Sequence, residues 1–542
     1  MARRKELQAK LKELKASAPV SVSSYEMNVF TGEKLRSLVQ GTLQLDVREC
    51  FRSLETFLHG AVTPRICSIY GLRRTGKTTL LHQAIGKMSP ADFAKAAYIK
   101  AKKNQTMSML SRDIETLWNN GFRFVFIDEI TFLDDFVDTA SFLSDIYAAM
   151  GMKIVVSGTD SLGLWLASHE ELYDRAYTIH TTWISYAEHA RLLHISDVDE
   201  YIRYGGTLRA GETDFDDPEL QSEEASFRDD ESTRRYIDTA ICQNIQHSLR
   251  CYENGTRFMH LQELYDAGEL TGAINRVIED MNHHFVLRVL TEDFQSGDLK
   301  LARKNLLRER DPALRTDVLD RIDIKAVTER LMNILAIRNQ PKRTVEITQT
   351  HVNEIKEYLK ALDLIERCPV RYADPGAEET ENVLILQPGM RFCQAQALVH
   401  SLKKDAVFAE LNAAEKDYVC GKILDEVRGR MLEEIVLIET QKRLGKKCEV
   451  FKYQFIGGEF DMVVYNPAEN VCDVYEIKHS TEAVIDQCRH LLNEESCATL
   501  AARMAPIRDK YVIYRGTPLD SSWGVKYLNA GEFLTGLENG QH

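Results

Sequence analysis

The sequence predicts an α/β protein of several domains, and three observations support that prediction. The chain has 542 residues, too many for one hydrophobic core, and a typical ~150 residues per domain suggests three or four units. Apolar strand patterns alternate with helical patterns over residues 46–210, as in a mostly parallel sheet. Near the C-terminus, a helical pattern precedes three strand patterns in meander order, which indicates a second, mixed α/β domain.

The composition is that of an ordinary globular protein, with 44% hydrophobic and 28% charged residues. A net charge of −14 argues against a chain that coats nucleic acid by bulk electrostatics. No apolar run reaches the ~20 residues of a membrane span, and the basic N-terminus lacks the apolar segment of a secretory signal. Eleven cysteines without CxxC pairs favour reduced thiols. We therefore expect a cytoplasmic protein without a membrane partner.

Changes in composition and pattern divide the chain into five predicted segments. The acidic run 211–232 is typical of a solvated connector. Leu7, Leu11 and Leu14 form one helical stripe, which favours packing on the protein itself over a nucleic-acid or membrane contact. The segments are an N-terminal basic helix and arm (1–45), a first α/β domain (46–210), an acidic linker with a helical domain (211–320), a helix-and-hairpin segment (321–405) and a C-terminal mixed domain (406–542).

The segment GLRRTGKT, residues 71–78, matches the phosphate-loop pattern GxxxxGK[ST] and stands between an apolar strand and an apolar-periodic helix. Glycines permit close backbone approach, and the loop amides with the helix N-terminus direct partial positive charge at phosphate oxygens. We expect Lys77 to reach the β and γ phosphates of ATP and Thr78 to ligate Mg²⁺. The predicted nucleotide-binding residues are Gly71, Arg74, Thr75, Gly76, Lys77, Thr78 and Thr79.

A second apolar strand, FRFVFIDEI (122–130), ends in two carboxylates. We expect Asp128 to bind the nucleotide's magnesium and Glu129 to polarise the attacking water, which makes hydrolysis a stronger prediction than binding alone. A third strand pattern, KIVVSGTDSL (153–162), carries Ser157 and Thr159. Their hydroxyls are predicted either to sense the γ phosphate or to cap a helix. The whole arrangement predicts a P-loop NTPase sheet with its ligand at the carboxyl ends of the strands.

The stretch from Ser157 to Gly206 resembles a prokaryotic ATPase family related to the AAA+ and STAND ATPases. The resemblance covers about residues 46–210 and is carried by the strand end at Ser157, by WISYAEH and by the pair Gly205 and Gly206. It implies that Arg175 is a γ-phosphate sensor or an arginine finger, and that the protein forms an oligomer in which a neighbouring subunit supplies this arginine. An ion pair of Arg175 with Asp174 or Glu171 is the ordinary alternative.

The middle of the chain is predicted to be helical over 233–320, as a lid or linker. Residues 321–405 then show helix, strand, helix and hairpin patterns, with LIERCPVRY and ENVLILQPG as the hairpin, which is the order of a winged helix. The second helix balances Lys356 and Lys360 with Glu354 and Glu357. Because phosphate neutralisation needs more basic charge, we favour contact with a partner protein over reading of a DNA groove.

The C-terminal segment places charged residues inside apolar patterns. The helix GRMLEEIVLIETQKRL (429–444) carries Glu433, with Glu434 as the alternative if the register differs by one, and the strands GEFDMVVY and CDVYEIKHS carry Asp461, Glu476 and Lys478. These charges either lie on a solvated face or converge on a metal ion. Period two puts Glu476 and Lys478 on one face of their strand. Carboxylate ligands suit Mg²⁺ or Mn²⁺.

This order of helix-Glu, strand-Asp and strand-Glu-x-Lys resembles the PD-(D/E)xK nuclease fold. The resemblance implies that Glu433, Asp461 and Glu476 hold a divalent cation and that Lys478 orients the attacking water. Two positions depart from the family pattern, because Phe460 stands where a proline is usual and Gln487 matches the helical glutamine only loosely. Some members of the family are inactive. His479 is predicted to pack locally rather than bind metal.

The two motifs together predict an ATPase whose nucleotide state regulates a metal-dependent nuclease acting on DNA or RNA, with DNA favoured. Two alternatives remain. One is a nucleotide-switched scaffold with an inactive nuclease fold, and the other is a regulator that binds DNA through the winged helix. Cleavage by wild type beside an Asp461 variant separates the first from the nuclease, and a footprint without cutting would favour the second.

Overall fold

The computed structural model describes residues 25–133, 135–158, 174–208, 230–243, 258–289, 347–401 and 412–538, with a few single residues between them. By contact density the chain forms two compact units, one of residues 1–72, 76–181 and 247–254 and one of residues 73–75, 182–246 and 255–542. Several predictions fall outside the described residues, namely the N-terminal helix, the acidic run 211–229, Thr159, and the helix and strand of 321–346.

The first unit contains a six-stranded sheet in the order β1-β3-β4-β5-β2-β6. All pairs in it are parallel except β1 with β3, which confirms the predicted mostly parallel sheet. The central strands are buried and rich in β-branched and aromatic residues, as a sheet covered on both faces requires. The strands are β1 (Asn28–Phe30), β2 (Ile66–Tyr70), β3 (Ala96–Lys100), β4 (Phe124–Asp128), β5 (Lys153–Gly158) and β6 (Ala176–His180).

The helices of the first unit bury their apolar stripes against this sheet. Leu80 and Leu81 of one helix join Phe126 and Val155 of the strands in a single core. The helices are Gly32–Gln40, Phe51–His59, Lys77–Gly86, Pro90–Phe93, Met107–Asn119 and Phe136–Thr139, with a 3-10 turn at Ile130–Phe132 and a π-helical turn at Leu143–Ala148.

The second unit contains an eight-stranded mixed sheet in the order β13-β14-β12-β11-β10-β9-β7-β8. The predicted meander forms its centre, because β10 pairs antiparallel with both β9 and β11. Strands β12 and β14 extend the sheet in parallel beyond β11. The strands are β7 (Ile365–Tyr372), β8 (Thr380–Ile385), β9 (Glu449–Phe455), β10 (Gly458–Asn466), β11 (Val471–Ile477), β12 (Ile507–Tyr514), β13 (Leu519–Asp520) and β14 (Lys526–Asn529).

The dominant helix of this unit, Ala413–Leu444, begins with a capping box in which Asn412 and Glu415 exchange hydrogen bonds. Its residues Leu432 and Val436 share one core with Val450 and Ile477 of the sheet. No helix in the described ranges has the length and apolarity needed to cross a membrane. The other helices are Tyr186–Leu193, Val198–Tyr204, Asp230–Ile237, Met259–Asp266, Leu270–Arg288, Gln349–Ala361, Pro388–Ser401, Glu494–Arg503 and Ala530–Glu538, with a π-helical turn at Asp238–Cys242 and a 3-10 turn at Ile485–Cys488.

The predicted wing is a hairpin that belongs to the C-terminal sheet. Strands β7 and β8 pair antiparallel, and β7 also pairs parallel with β9. The pairing of β7 with β9 therefore crosses the predicted segment boundary at residue 405, and the hairpin adds two strands to the sheet. The winged helix itself stays a prediction, since its first helix and strand lie outside the described residues.

Candidate nucleotide and metal sites

The phosphate loop lies between β2 and the helix Lys77–Gly86. Gly71 and Gly76 have φ of 156° and 85°, and Arg74 is a non-glycine residue at φ 65°. Such positive angles turn the chain sharply enough for backbone amides to point inward, and glycine adopts them most easily. All seven predicted nucleotide-binding residues lie in this loop or in the first turn of the helix.

Lys77 is folded back over its own loop. Its Nζ donates to the carbonyl oxygens of Gly71, at 2.7 Å, and Leu72, at 2.8 Å. Only 7% of the residue is exposed. The ammonium is therefore held where the phosphates of a nucleotide would compete with these carbonyls for it.

Asp128 ends β4 and collects donors from three elements. Its Oδ2 lies 3.0 Å from Thr78 Oγ1, 2.8 Å from Tyr98 OH and 2.6 Å from Lys100 Nζ, and its Oδ1 lies 2.5 Å from Ser157 Oγ. Burial acts to raise the pKa of Asp128, but Lys100 and the hydrogen bonds from Ser157 and Tyr98 outweigh it and hold that pKa below its usual range. Asp128 is therefore an ionised carboxylate with 1% exposure.

The donor set around Asp128 suits magnesium. Thr78 and Asp128 offer hard oxygen atoms next to each other, and the Lys100 ammonium already places a cation beside the carboxylate. Glu129 follows directly, half-buried and in the left-handed region at φ 58°. The sequence analysis missed Lys100 and Tyr98 as partners of Asp128. The available signal was the lysine at the end of β3: because β3 pairs with β4, Lys100 stands opposite Asp128.

Two other predicted residues have different surroundings from those expected. Ser157 lies inside β5 and does not cap a helix; its hydroxyl donates to Asp128, and a role as γ-phosphate sensor stays a prediction. Arg175 immediately precedes β6, and the pairing of Ile66 with Ala176 places it at the opposite end of the sheet from the phosphate loop. It forms an exposed ion pair with Asp145 at 3.0 Å, whereas Asp174 pairs with Arg65 and Glu171 lies outside the described residues. The structure thus does not bring Arg175 to this nucleotide site, and a role across a subunit interface stays a prediction.

In the second unit, three predicted residues of the C-terminal motif converge. Lys478 Nζ lies 2.7 Å from Glu476 Oε2 and 3.0 Å from Asp461 Oδ2. The amide of Ile477 also donates to Asp461 Oδ2, at 2.7 Å. Asp461 is 6% exposed and Glu476 is 1% exposed. The two acids therefore do not lie on a solvated face.

A bulge in β10 helps to build this arrangement. Phe460 pairs with Tyr453 and Val463 pairs with Phe451, so the two residues between them, Asp461 and Met462, oppose the single Lys452. An extra residue in one strand bends it and re-aims the side chains there. The aspartate therefore lies close to both neighbouring strands.

Burial and neighbouring charges shift the pKa values of Glu476 and Asp461 in opposite directions. Burial, with the charge of Asp461, raises the pKa of Glu476 well above its usual value despite Lys478. For Asp461, burial acts in the same direction, but Lys478, Lys452 and the Ile477 amide outweigh it and lower the pKa. Two carboxylates in one site resist joint ionisation, and a divalent cation would remove that repulsion.

Glu433 belongs to an adjoining group of buried charges. Its carboxylate contacts Lys452 Nζ and accepts from Arg430 Nη1 at 2.9 and 3.2 Å. Glu459 accepts from the same two cations, at 3.1 Å from Lys452 and 3.2 Å from Arg430. One carboxylate oxygen each from Glu433, Glu459 and Asp461 lie within 4.8 Å of one another. Asp461 thus connects the two groups.

The residues present fit a divalent metal ion. The carboxylate cluster consists of Glu433, Glu459, Asp461 and Glu476. Each of these side chains offers carboxylate oxygens, which are the hard ligands that Mg²⁺ and Mn²⁺ prefer. Glu476 Oε1 is buried and has no hydrogen-bond partner within the described part of the chain. A buried oxygen without a donor is costly, which marks this atom as a ligand position.

Three neighbouring residues of the C-terminal motif have partners outside this group of carboxylates. Glu434, the alternative to Glu433, forms a buried ion pair with Arg391. Gln487 donates to Ser480 Oγ at 2.6 Å and does not join the carboxylates. His479 contacts the carboxylate of Asp199 at 2.6 Å, a polar contact between distant parts of the chain and not the local packing that the sequence suggested.

Sequence reasoning missed Arg430, Lys452 and Glu459. Glu459 stands two residues before Asp461, and Arg430 stands three before Glu433, which is one helical turn. Lys452 is the one charged residue between the flanking apolar positions of the segment VFKYQF. A charge in the middle of a buried strand was the available signal.

Comparison with known proteins gives a family match for part of the chain. The sequence family described as AAA domain matches residues 63–190, so the chain contains an AAA-type ATPase domain. No curated protein matches the chain. Among solved structures, S. cerevisiae Hsp104 in complex with casein is 16% identical with a TM-score of 0.25, covering 34% of each chain.

Two further solved structures are similarly distant. Aeropyrum pernix ORC1 in complex with DNA is 13% identical with a TM-score of 0.23, covering 71% of this chain and 99% of that one. C. elegans PCH-2 is 13% identical with a TM-score of 0.21, covering 61% and 69%. The alignments to three Hsp104 structures span 34%, 58% and 55% of their length.

Proposed function

We propose that this protein is an ATP-hydrolysing protein whose nucleotide state regulates a divalent-metal-dependent nuclease acting on DNA. The observation that carries the nuclease proposal is the convergence of the buried acids Asp461 and Glu476 on the partly exposed Lys478, together with the Glu476 oxygen that has no hydrogen-bond partner among the described residues. Removing several charged side chains from water at one place is energetically unfavourable. Such clusters are typical of binding and catalytic sites.

Each group has a distinct task in this proposal. Asp461 and Glu476 would hold Mg²⁺ or Mn²⁺, which would stabilise the negative charge that develops on the phosphate. Lys478, 35% exposed at its side chain, reaches the same point from the outer side and orients the attacking water or the phosphate. The nucleic-acid backbone supplies the phosphate anion that the bound metal ion and Lys478 would attract.

The ATPase half of the proposal uses the loop and strand residues already described. Lys77 and the loop amides would bind phosphates, and Thr78 with Asp128 would hold Mg²⁺. Glu129 is the proposed base that polarises water. An oligomer, with Arg175 supplied to a neighbouring subunit's nucleotide, is part of the same proposal.

Contacts inside the second unit support regulation of one site by the other. The tip of the phosphate loop belongs to this unit, where Leu208 N donates to Arg74 O at 3.0 Å. Gln387 Nε2 lies 3.0 Å from Gly206 O. Gln387 immediately precedes the helix Pro388–Ser401, whose Arg391 pairs with Glu434, the neighbour of Glu433. A movement of the loop tip upon nucleotide binding would reach the carboxylate cluster through this helix.

The nuclease is tested with Asp461→Asn beside Asp473→Asn. Asp473 is a matched control, because it is also 6% exposed and lies on β11, but pairs with Arg508. With Mg²⁺ or Mn²⁺ and single- and double-stranded DNA, cleavage should fall at least ~100-fold in Asp461→Asn and persist in Asp473→Asn. Equal cleavage by wild type and Asp461→Asn would refute the nuclease.

The coupling is tested separately with Lys77→Ala and Gln387→Leu. In wild type, ATP should change the cleavage rate by ~5-fold or more. Lys77→Ala should remove this response by preventing nucleotide binding, and Gln387→Leu should weaken it while ATP binding persists. A wild-type cleavage rate that is the same with and without ATP contradicts the coupling and leaves the nuclease proposal untouched.

A nucleotide-switched scaffold with an inactive nuclease fold is the second candidate. The observation that favours it is that Arg430 and Lys452 already neutralise Glu433 and Glu459, so part of the cluster is satisfied without metal. DNA binding without cleavage in every metal tested would favour this candidate, and a protein partner bound through residues 321–405 would extend it.

A further inference from the structure

The carboxylate cluster contains one oxygen that lacks a donor and several that are saturated. Glu476 Oε1 has no hydrogen-bond partner in the described residues. By contrast, both oxygens of Glu433 accept from Arg430, and Oε1 also contacts Lys452. Glu459 Oε1 accepts from the same two cations and its Oε2 from Gln454, at 3.1 Å.

We propose that the ammonium group of Lys452 permanently fills a second cation position, between Glu433 and Glu459, so that this site binds one divalent metal ion, at Asp461 and Glu476, and not two. The inference rests on the proposed metal site and concerns how many ions that site takes. It assigns to Lys452 the role of a positioning residue.

The location of Lys452 supports this role. It is 3% exposed and projects from the middle of β9, opposite the bulge that carries Asp461. Its Nζ contacts Glu433 and lies 3.1 Å from Glu459 Oε1. One oxygen each of Glu433, Glu459 and Asp461 lie within 4.8 Å of one another, close enough for a metal ion to bridge them. The Lys452 ammonium already contacts two of these three residues, Glu433 and Glu459.

Displacement of this ammonium by a metal ion would be unfavourable. A buried lysine without its carboxylates is an uncompensated charge, and Lys452 has no exposed path to water comparable with that of Lys478. Arg430 is also buried, at 9% exposure. A second metal ion would therefore have to separate two buried cations from both of their acids.

The charge balance gives the same result. With all four carboxylates ionised, as Glu476 would be once a divalent ion binds it, Glu433, Glu459, Asp461 and Glu476 and the three cations Arg430, Lys452 and Lys478 leave a formal charge of −1. One divalent ion brings the cluster to +1, which a single phosphodiester anion neutralises. Two ions bring it to +3, which leaves an excess of positive charge at a buried site.

Manganese stoichiometry tests the inference without any measurement of activity. Equilibrium dialysis of the full chain in the Lys77→Ala background, without nucleotide, should give one Mn²⁺ that is lost in Asp461→Asn. Lys452→Met should add a second ion, and a close pair of ions should show exchange coupling in the electron paramagnetic resonance spectrum. Glu459→Gln combined with Lys452→Met should return the count to one.

Lys442→Met is the matched control, because Lys442 also bridges two acids, Asp363 at 2.8 Å and Glu366 at 3.2 Å, outside the cluster. It should leave the manganese count unchanged. Two Asp461-dependent ions in the Lys77→Ala protein overturn the inference even if Lys452→Met does not fold. Absence of any Asp461-dependent manganese overturns the proposed metal site, which is a different failure.

Discussion

Asp128 and Asp461 are both buried strand carboxylates beside a lysine ammonium, at 2.6 and 3.0 Å, yet they are stabilised differently. Asp128 is a single acid fixed largely by hydroxyl donors from Thr78, Tyr98 and Ser157. Asp461 belongs to a cluster of four acids balanced by three cations. The first site should tolerate loss of one partner, whereas the second depends on mutual neutralisation of buried charge.

The largest expected effect comes from removal of one lysine at each site. In metal-free buffer, Lys452→Met should lower the free energy of unfolding of its unit by ~3–5 kcal/mol, because two buried carboxylates lose a cation. Lys100→Met should cost ~1.5 kcal/mol, since Asp128 keeps its hydroxyl donors and the Lys100 side chain is 37% exposed. Urea denaturation followed by circular dichroism measures both.

Saturating Mn²⁺ sharpens this comparison. Because the second ion would replace the lost ammonium, Mn²⁺ should restore much of the stability of Lys452→Met and little of that of Lys100→Met. Similar losses for the two variants in metal-free buffer would show that the cluster is not held by charge balance.

A smaller effect is expected from acidification at a buried histidine. His189 is fully buried, and both ring nitrogens have no hydrogen-bond partner within the described ranges. Burial lowers the pKa of His189 to about 4. The unfolded chain takes up a proton near pH 6.5 and the folded chain does not, so stability should fall by ~3 kcal/mol as the pH drops from about 6.5 to about 4.

Unfolding of wild type and His189→Phe at pH 7.5 and pH 4.5 measures this effect. The variant should lose less stability on acidification than wild type, because the site no longer contains a group that must remain neutral. His194→Asn, at an exposed position, is the control and should follow wild type. The same acid loss in all three proteins would contradict the assignment to His189.

The smallest effect concerns Ser157, one of several donors to Asp128. Ser157→Ala should lower kcat/KM for ATP hydrolysis about 10-fold, as expected for loss of a partner that orients a metal-binding carboxylate. Ser68→Ala on adjacent β2 is the matched control, since Ser68 is equally buried and its hydroxyl has no hydrogen-bond partner among the described residues. ATPase activity should be unchanged in Ser68→Ala, and an equal decrease in both variants would assign the effect to packing.

Much of the first unit could be predicted from sequence because its signals are local. The phosphate loop is one contiguous motif, and strand patterns at 66–70, 122–130 and 153–162 correspond to β2, β4 and β5. Lys100 and Tyr98 were not predictable in the same way, because their contact with Asp128 depends on β3 pairing with β4 across the intervening helix. Local periodicity does not specify which strands become neighbours.

The second unit shows the same limit more strongly. The meander β9-β10-β11 follows from sequence order, and the acids of the Asp and Glu-x-Lys motif came together as the alternation of strand side chains indicated. Glu459 and Lys452 were missed because a strand pattern does not reveal a bulge or the cross-strand charge pairs around it. The addition of β7 to β9 also depends on long-range pairing.

That pairing of β7 with β9 bears on how the molecule can be cut into parts. A fragment starting at residue 406 would remove β7 and leave the β9 edge with unsatisfied amides and carbonyls, next to an apolar interior. Exposed strand edges of this kind recruit other chains. A soluble C-terminal fragment should therefore begin before residue 365, so that the hairpin continues to shield that edge.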